Sequence, residues 1–239
     1  MAGAFIQVLG TQENADPPVT EVTVQITTPS AGSTLVLVAG MKVGGDFGNY
    51  AWDDVDTEGL EWDEIYSSTD EDPGGGVYIK LIASGTETEV VFDTQDSGRG
   101  GAIVLEYSGL DAITGTPGSV KHTTWSPTAE ASTTPASQPG LAIAALVGED
   151  TDWDSQTYTI AIESPFTING TQHNDTNTSY DTHVYVASGS FSSTSALSPE
   201  WTTTDTGGDK CFATIVAILD AAGGAPEYNE TLASSVTSS

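Results

Sequence analysis

Acidic side chains are the chemistry this sequence offers in quantity, and two stretches space them as a working site would. The first is Glu61-Trp62-Asp63-Glu64. On a strand Glu61 and Asp63 would share one face while Glu64 points away. Two carboxylates of this kind are the apparatus of glycoside hydrolysis, which in a retaining enzyme needs them about 5 Å apart with one pKa raised. The second stretch is Asp150-Thr151-Asp152-Trp153-Asp154, which begins as a calcium loop does, with oxygens at alternate positions. The loop pattern then fails: Ser155 stands where a glycine is needed and Ala161 where a closing glutamate is needed. Asp150, Asp152 and Asp154 remain a candidate cation cluster, and Asp53, Asp54, Asp56 and Glu58 form another. A structural cation such as calcium, magnesium or sodium is the one cofactor these acids imply. Otherwise none is expected, and solvated loops attended by diffuse counter-ions are the plainer reading.

Other reactive groups are sparse. His122, His173 and His183 follow no ligand spacing, and one cysteine is too few for a thiolate zinc site. Cys211 has no partner for an internal disulfide and lies in the apolar run Lys210 to Val216, where it reads as a small core residue. No Gly-x-Ser-x-Gly elbow occurs. Gly74-Gly75-Gly76 and Gly98-Arg99-Gly100-Gly101 read as turns, since neither leads into a helix. Trp52, Trp62 and Trp153 lie near turns and are candidates to stack on a sugar ring. Burial at the ends of a sandwich is the competing use of tryptophan, and Trp125 and Trp201 share that choice. Asn-x-Ser/Thr tripeptides occur at Asn169, Asn174, Asn177 and Asn229, as expected by frequency in a chain rich in Ser and Thr.

Charge is the strongest compositional signal. The 239 residues carry 34 acids against 5 bases, a formal net charge of −29. Such a chain repels itself in dilute buffer. In molar salt the screening length falls to about 3 Å, and most of that repulsion vanishes. The acids are spread along the chain near turns, at Asp46, Asp53, Asp93, Asp152, Asp181 and Asp205 among others. That distribution suits a protein of very salty water. It excludes nucleic acid as a partner, because no basic footprint exists to neutralise phosphates. No apolar run approaches the roughly 18 residues of a membrane helix, so no membrane insertion is expected. Met1 to Phe5 lacks a basic leader and a long apolar stretch, so synthesis in the cytoplasm without a signal peptide is expected.

These groups would be carried on strands. Glu21 to Ile26 alternates, placing Val22, Val24 and Ile26 on one face. Ser33 to Met41 is almost continuously apolar, as a central strand buried on both faces would be. Val77 to Ile82, Glu87 to Phe92 and Ala102 to Tyr107 follow, separated by Gly, Pro, Asp and Ser turns. The order then recurs. Thr28-Pro29 before Leu35 to Gly40 matches Thr134-Pro135 before Leu141 to Gly148, and Ala102 to Leu105 matches Ala213 to Val216. The expected fold is therefore all-β: an antiparallel β-sandwich, jelly-roll-like, from two similar halves. The expected layout is an N-terminal arm or strand over 1–20, a sandwich over 21–222 with halves at 21–111 and 120–222, and a polar extension over 223–239. One interleaved jelly roll is favoured over two small sandwiches, because five strands per half make a thin core.

The run Gly32 to Val38, then Val77-Tyr78-Ile79, Val90-Val91-Phe92 and Ile103 to Leu110 resembles a strand pattern of phage-associated β-proteins. With the acid excess it resembles a virion protein of a tailed virus of haloarchaea: a capsid turret or decoration, or a tail component. The likeness covers 32–111 well and 134–220 loosely, and carries over no catalytic residue. It implies a non-enzymatic surface protein of the virion, assembling with itself and with other virion proteins such as major capsid or tail proteins, and contacting a host surface glycan. Assembly would use Phe5, Ile6 and Val8 at one terminus and Tyr228 and Leu232 at the other. Two alternatives stand beside it: a carbohydrate-binding module of a halophile, and a jelly-roll glycoside hydrolase. Glu61 to Glu64 is similar to the acidic catalytic strand of jelly-roll glucanases, with its spacing broken at Glu64.

Overall fold

The computed structural model describes residues 2–43, 50–56, 59–68, 74–122, 128–150, 159–174, 181–204 and 210–221. Among the described residues the first half holds six strands: β1 (Ala4–Gln25), β2 (Thr34–Val43), β3 (Tyr50–Asp53), β4 (Asp63–Ser68), β5 (Gly74–Lys80) and β6 (Glu89–Ser108). The described residues of the second hold eight: β7 (Leu110–His122), β8 (Thr128–Glu130), β9 (Gly140–Asp150), β10 (Ile160–Ile162), β11 (Thr167–Asn174), β12 (Asp181–Phe191), β13 (Glu200–Thr203) and β14 (Cys211–Asp220). Every pairing is antiparallel. This is the expected all-β sandwich of two similar halves.

The similarity extends to strand order. The large sheet of the first half runs β1-β6-β2-β5-β4, and that of the second runs β7-β14-β9-β12-β11. In the first half the β1–β6 ribbon continues past register shifts at Asn14/Val19 and Val19/Glu21. It folds over, so that Leu9 O accepts the Thr27 N–H at 3.1 Å. The far part of the ribbon, with β3 beside it, covers the large sheet. In the second half a separate sheet, β10-β13-β8, takes the same place. The strands named above pair only within their own half. The halves do not interleave; they stack.

Stacking explains how few strands can make a thick core, since two large sheets share an apolar layer. Val36, Val38, Ile103 and Leu105 of the first half meet Ile143, Val147, Val184, Val186 and Val216 of the second. Leu35, Leu37, Met41, Val22, Val24 and Phe92 fill the outer core of the first half. Trp201, Tyr185, Leu146, Cys211 and Ile215 fill that of the second. Each fully buried aliphatic side chain contributes about 1.5–3 kcal/mol. The sheets approach closely: a Cβ on Gly40 would lie 2.4 Å from Val147 Cγ1.

The structure corrects the repeat in one detail. Matching Leu35 to Leu141 pairs residues of different cores, because Leu35 faces the outer layer and Leu141 the central one. The true correspondence is displaced by an odd number of residues. A slip of one reverses the face of every side chain. A run apolar on both faces holds no parity signal to prevent that error.

Candidate functional site

At one end of the outer core of the first half, charged groups converge. Lys80 ends β5 with its side chain only 1% exposed. Its Nζ donates to Asp53 Oδ2 at 2.7 Å, Glu61 Oε2 at 2.9 Å and Glu87 Oε1 at 3.1 Å. Asp53 ends β3 and is fully buried, as is Glu87 in the turn before β6, whereas Glu61 is 59% exposed. Tyr78, two residues before Lys80 on the same face, points into the outer core, so strand alternation sends Lys80 the same way.

Both buried carboxylates also shape their loops. Asp53 Oδ1 accepts the backbone N–H groups of Val55 at 2.9 Å and Asp56 at 2.7 Å. Trp62 Nε1 donates to Asp53 Oδ2 at 3.1 Å. Glu87 accepts the N–H groups of Ser84 at 2.6 Å, Gly85 at 2.9 Å and Thr86 at 3.1 Å. Burial pushes the Glu87 carboxyl up, but these N–H groups and the Lys80 ammonium outweigh it and set its pKa at about 2. Burial likewise pulls the Lys80 ammonium down, while hydrogen bonds to Asp53, Glu61 and Glu87 outweigh that and raise it above the ordinary lysine value. Lys80 thus stands where a cation would be needed.

The sequence candidates fall out differently. Glu61 and Asp63 do share one side: with Leu60, Leu81 and Ile82 they line an open groove of about 430 Å³. Glu61 is also turned to Lys80, whose Nζ its Oε2 meets at 2.9 Å. Trp62 is buried at 7% exposed and bonded to Asp53, which removes it as a platform for a sugar. Trp52 is half-buried on β3, and Trp153 lies outside the described residues. Asp53, Asp54 and Asp56 do not gather around one point. Asp54 accepts from Thr88, Asp56 accepts the Glu61 N–H, and Asp53 faces Lys80. Asp150 closes β9, while Asp152 and Asp154 lie outside the described residues. Among the described residues no three His, Cys, Asp or Glu side chains are placed to hold a metal.

Of the terminal residues, Phe5 packs into the central core, its ring 5.6 Å from that of Tyr107. Phe5 belongs to the fold rather than to an arm. Ile6 and Val8 stay exposed at 42% and 38% on the same edge strand. Tyr228 and Leu232 lie outside the described residues.

Comparison with protein-family models, curated proteins and solved structures finds no match. What the chain can do is therefore read from its own groups.

Two arrangements were not legible beforehand. His173, His183, Gly148, Cys211 and His122 are successive partners across β11, β12, β9, β14 and β7, so all three histidines and the cysteine fall in one row. Burial, then the nearby charge of His173, lowers the His183 pKa to about 3, and burial pushes the Cys211 thiol up to about 12. Both groups are thereby held neutral. Asn169, one of the four tripeptide asparagines, turns inward and accepts from Tyr107.

Proposed function

We propose that this chain is a non-catalytic structural protein on the surface of a virus particle, assembling with copies of itself in strong salt. One observation carries the non-catalytic part, in the sense that no external substrate is turned over. The buried charged cluster at Lys80 spends its donors and acceptors on its own loops, with the ammonium seated between Asp53 and Glu87. The strand pattern over 32–111 and the charge of −29 support a virion setting in salty water. Ile6 and Val8 support self-assembly, since they expose apolar surface on β1, the edge of a large sheet. An unprotected edge strand is a template for another chain. Partners are then further copies and neighbouring capsid or tail proteins, with a host glycan as a further contact.

Sedimentation of the full chain in molar salt tests assembly. An oligomer that dissociates in Ile6→Lys with Val8→Lys is expected, and a wild-type monomer would count against it. Peptide mass spectrometry of purified particles from the producing cells tests location, and absence of the chain there would refute it.

A further inference from the structure

We propose that Lys80 and Asp53 become joined by an intramolecular amide bond, a covalent cross-link between β5 and β3 that does not depend on where the protein resides. The reacting atoms are in place: Nζ lies 2.7 Å from Asp53 Oδ2, with the two side chains 1% and 0% exposed. Near-contact distance and exclusion of water are what an unassisted acyl transfer requires. A desolvated ion pair is also costly to maintain, and a neutral amide removes that cost.

The surroundings of Asp53 match the needs of its carbon. Oδ1 accepts two backbone N–H groups, from Val55 at 2.9 Å and Asp56 at 2.7 Å. Two such donors aimed at one oxygen stabilise the negative charge of a tetrahedral intermediate. Oδ2, the oxygen that would leave, is contacted by Lys80 and by Trp62 Nε1. Glu87, fully buried with Oε1 3.1 Å from Nζ, is the proton carrier. Glu61 is 59% exposed and meets water, so Asp53 is the acyl partner.

The step balances without a co-reactant. Glu87 takes one proton from the ammonium, and the freed lone pair of Nζ attacks Asp53 Cγ. A C–N bond forms. Oδ2 departs as water with two protons that both come from Nζ, one relayed through Glu87. An ammonium and a carboxylate enter, an amide and one water leave, and nothing is oxidised or reduced. The carboxylates around Lys80 favour its charged form, so the attacking amine is scarce and the reaction slow. One turnover per molecule suffices.

Intact mass spectrometry of the full chain, folded in molar salt and then denatured, reads the outcome directly. The expected mass is lower than the sequence mass by one water, with a branched peptide linking residues 53 and 80 after proteolysis. Full sequence mass after prolonged incubation overturns the proposal, whatever any variant does. So does loss of a water that persists in Lys80→Arg, since an aspartimide elsewhere would behave that way. Glu87→Gln is expected to slow the loss of water at least tenfold, and an unchanged rate would overturn its part as proton carrier.

Discussion

Tyr107 on β6 donates its phenolic hydrogen to Asn169 Oδ1 on β11 at 3.0 Å, a hydrogen bond that joins the two halves across the central core. Tyr107 is fully buried, and burial raises its hydroxyl well above the ordinary tyrosine range despite a bond with Ser188 that lowers it. The group therefore stays a donor at any ordinary pH. Tyr107→Phe removes the donor and leaves the Asn169 oxygen without it. A loss of about 1–2 kcal/mol is expected in urea unfolding. Stability equal to wild type would show that this hydrogen bond adds nothing measurable to the joining of the halves.

Lys80→Met separates the contributions of the three carboxylates around it. In the chain that has not yet formed the amide, Asp53 and Glu87 are fully buried and would lose their cation, a change that costs about 3–5 kcal/mol. Glu61→Gln alters only a 59% exposed partner and should cost less than about 1 kcal/mol. Denaturant midpoints of the two variants give the comparison. Equal losses would place the stabilising contact at the surface instead of the interior.

His183 should impose a pH dependence of its own. Its folded pKa is about 3 against an ordinary 6.5, so the unfolded chain binds a proton first. The stability it contributes is full above about pH 6.5 and is lost as pH falls toward 3. The slope is about 1.4 kcal/mol per pH unit for one such group. Unfolding measured between about pH 6 and 5 isolates it from the carboxylates, whose ordinary values lie lower. His183→Leu should flatten that limb, and an undiminished slope would assign it elsewhere.

Glu87 acts at lower pH with the same sign. Its folded pKa of about 2 lies below the ordinary 4.5. Its contribution is present above about pH 4.5 and disappears as the pH drops toward 2. Glu87→Gln should remove this second acid limb while leaving the His183 limb in place. Parallel pH titrations of the unfolding midpoint read both.

Salt should act as screening and not as a site-bound ion. With a net charge of −29, the melting temperature should climb continuously with sodium or potassium chloride toward molar concentrations. Saturation at millimolar calcium, with no further gain from monovalent salt, would instead indicate a dedicated cation site.

Much of the fold was legible because strands write their burial into alternate residues. Val22, Val24 and Ile26 alternate in sequence and line the same outer core. The Ser33 to Met41 run became β2, with Val36 and Val38 facing one core and Leu35, Leu37 and Met41 another. Glu61 and Asp63 were marked as a pair by spacing and do share a groove. What spacing could not convey was the partner of Glu61, Lys80, which is distant in sequence and looks like an ordinary strand-end lysine.

By itself the sequence determined the class of fold, its doubling into two halves, and a net charge of −29, because alternation, turn residues and charge are local or additive properties. Only the tertiary structure decided that the halves stack without interleaving, that Lys80 meets Asp53 and Glu87, and that three histidines and a cysteine share a row. Those relations depend on which strands lie side by side and on their register. Pairing energy between strands far apart in the chain sets both, and a strand apolar on both faces leaves no mark of either in its own residues.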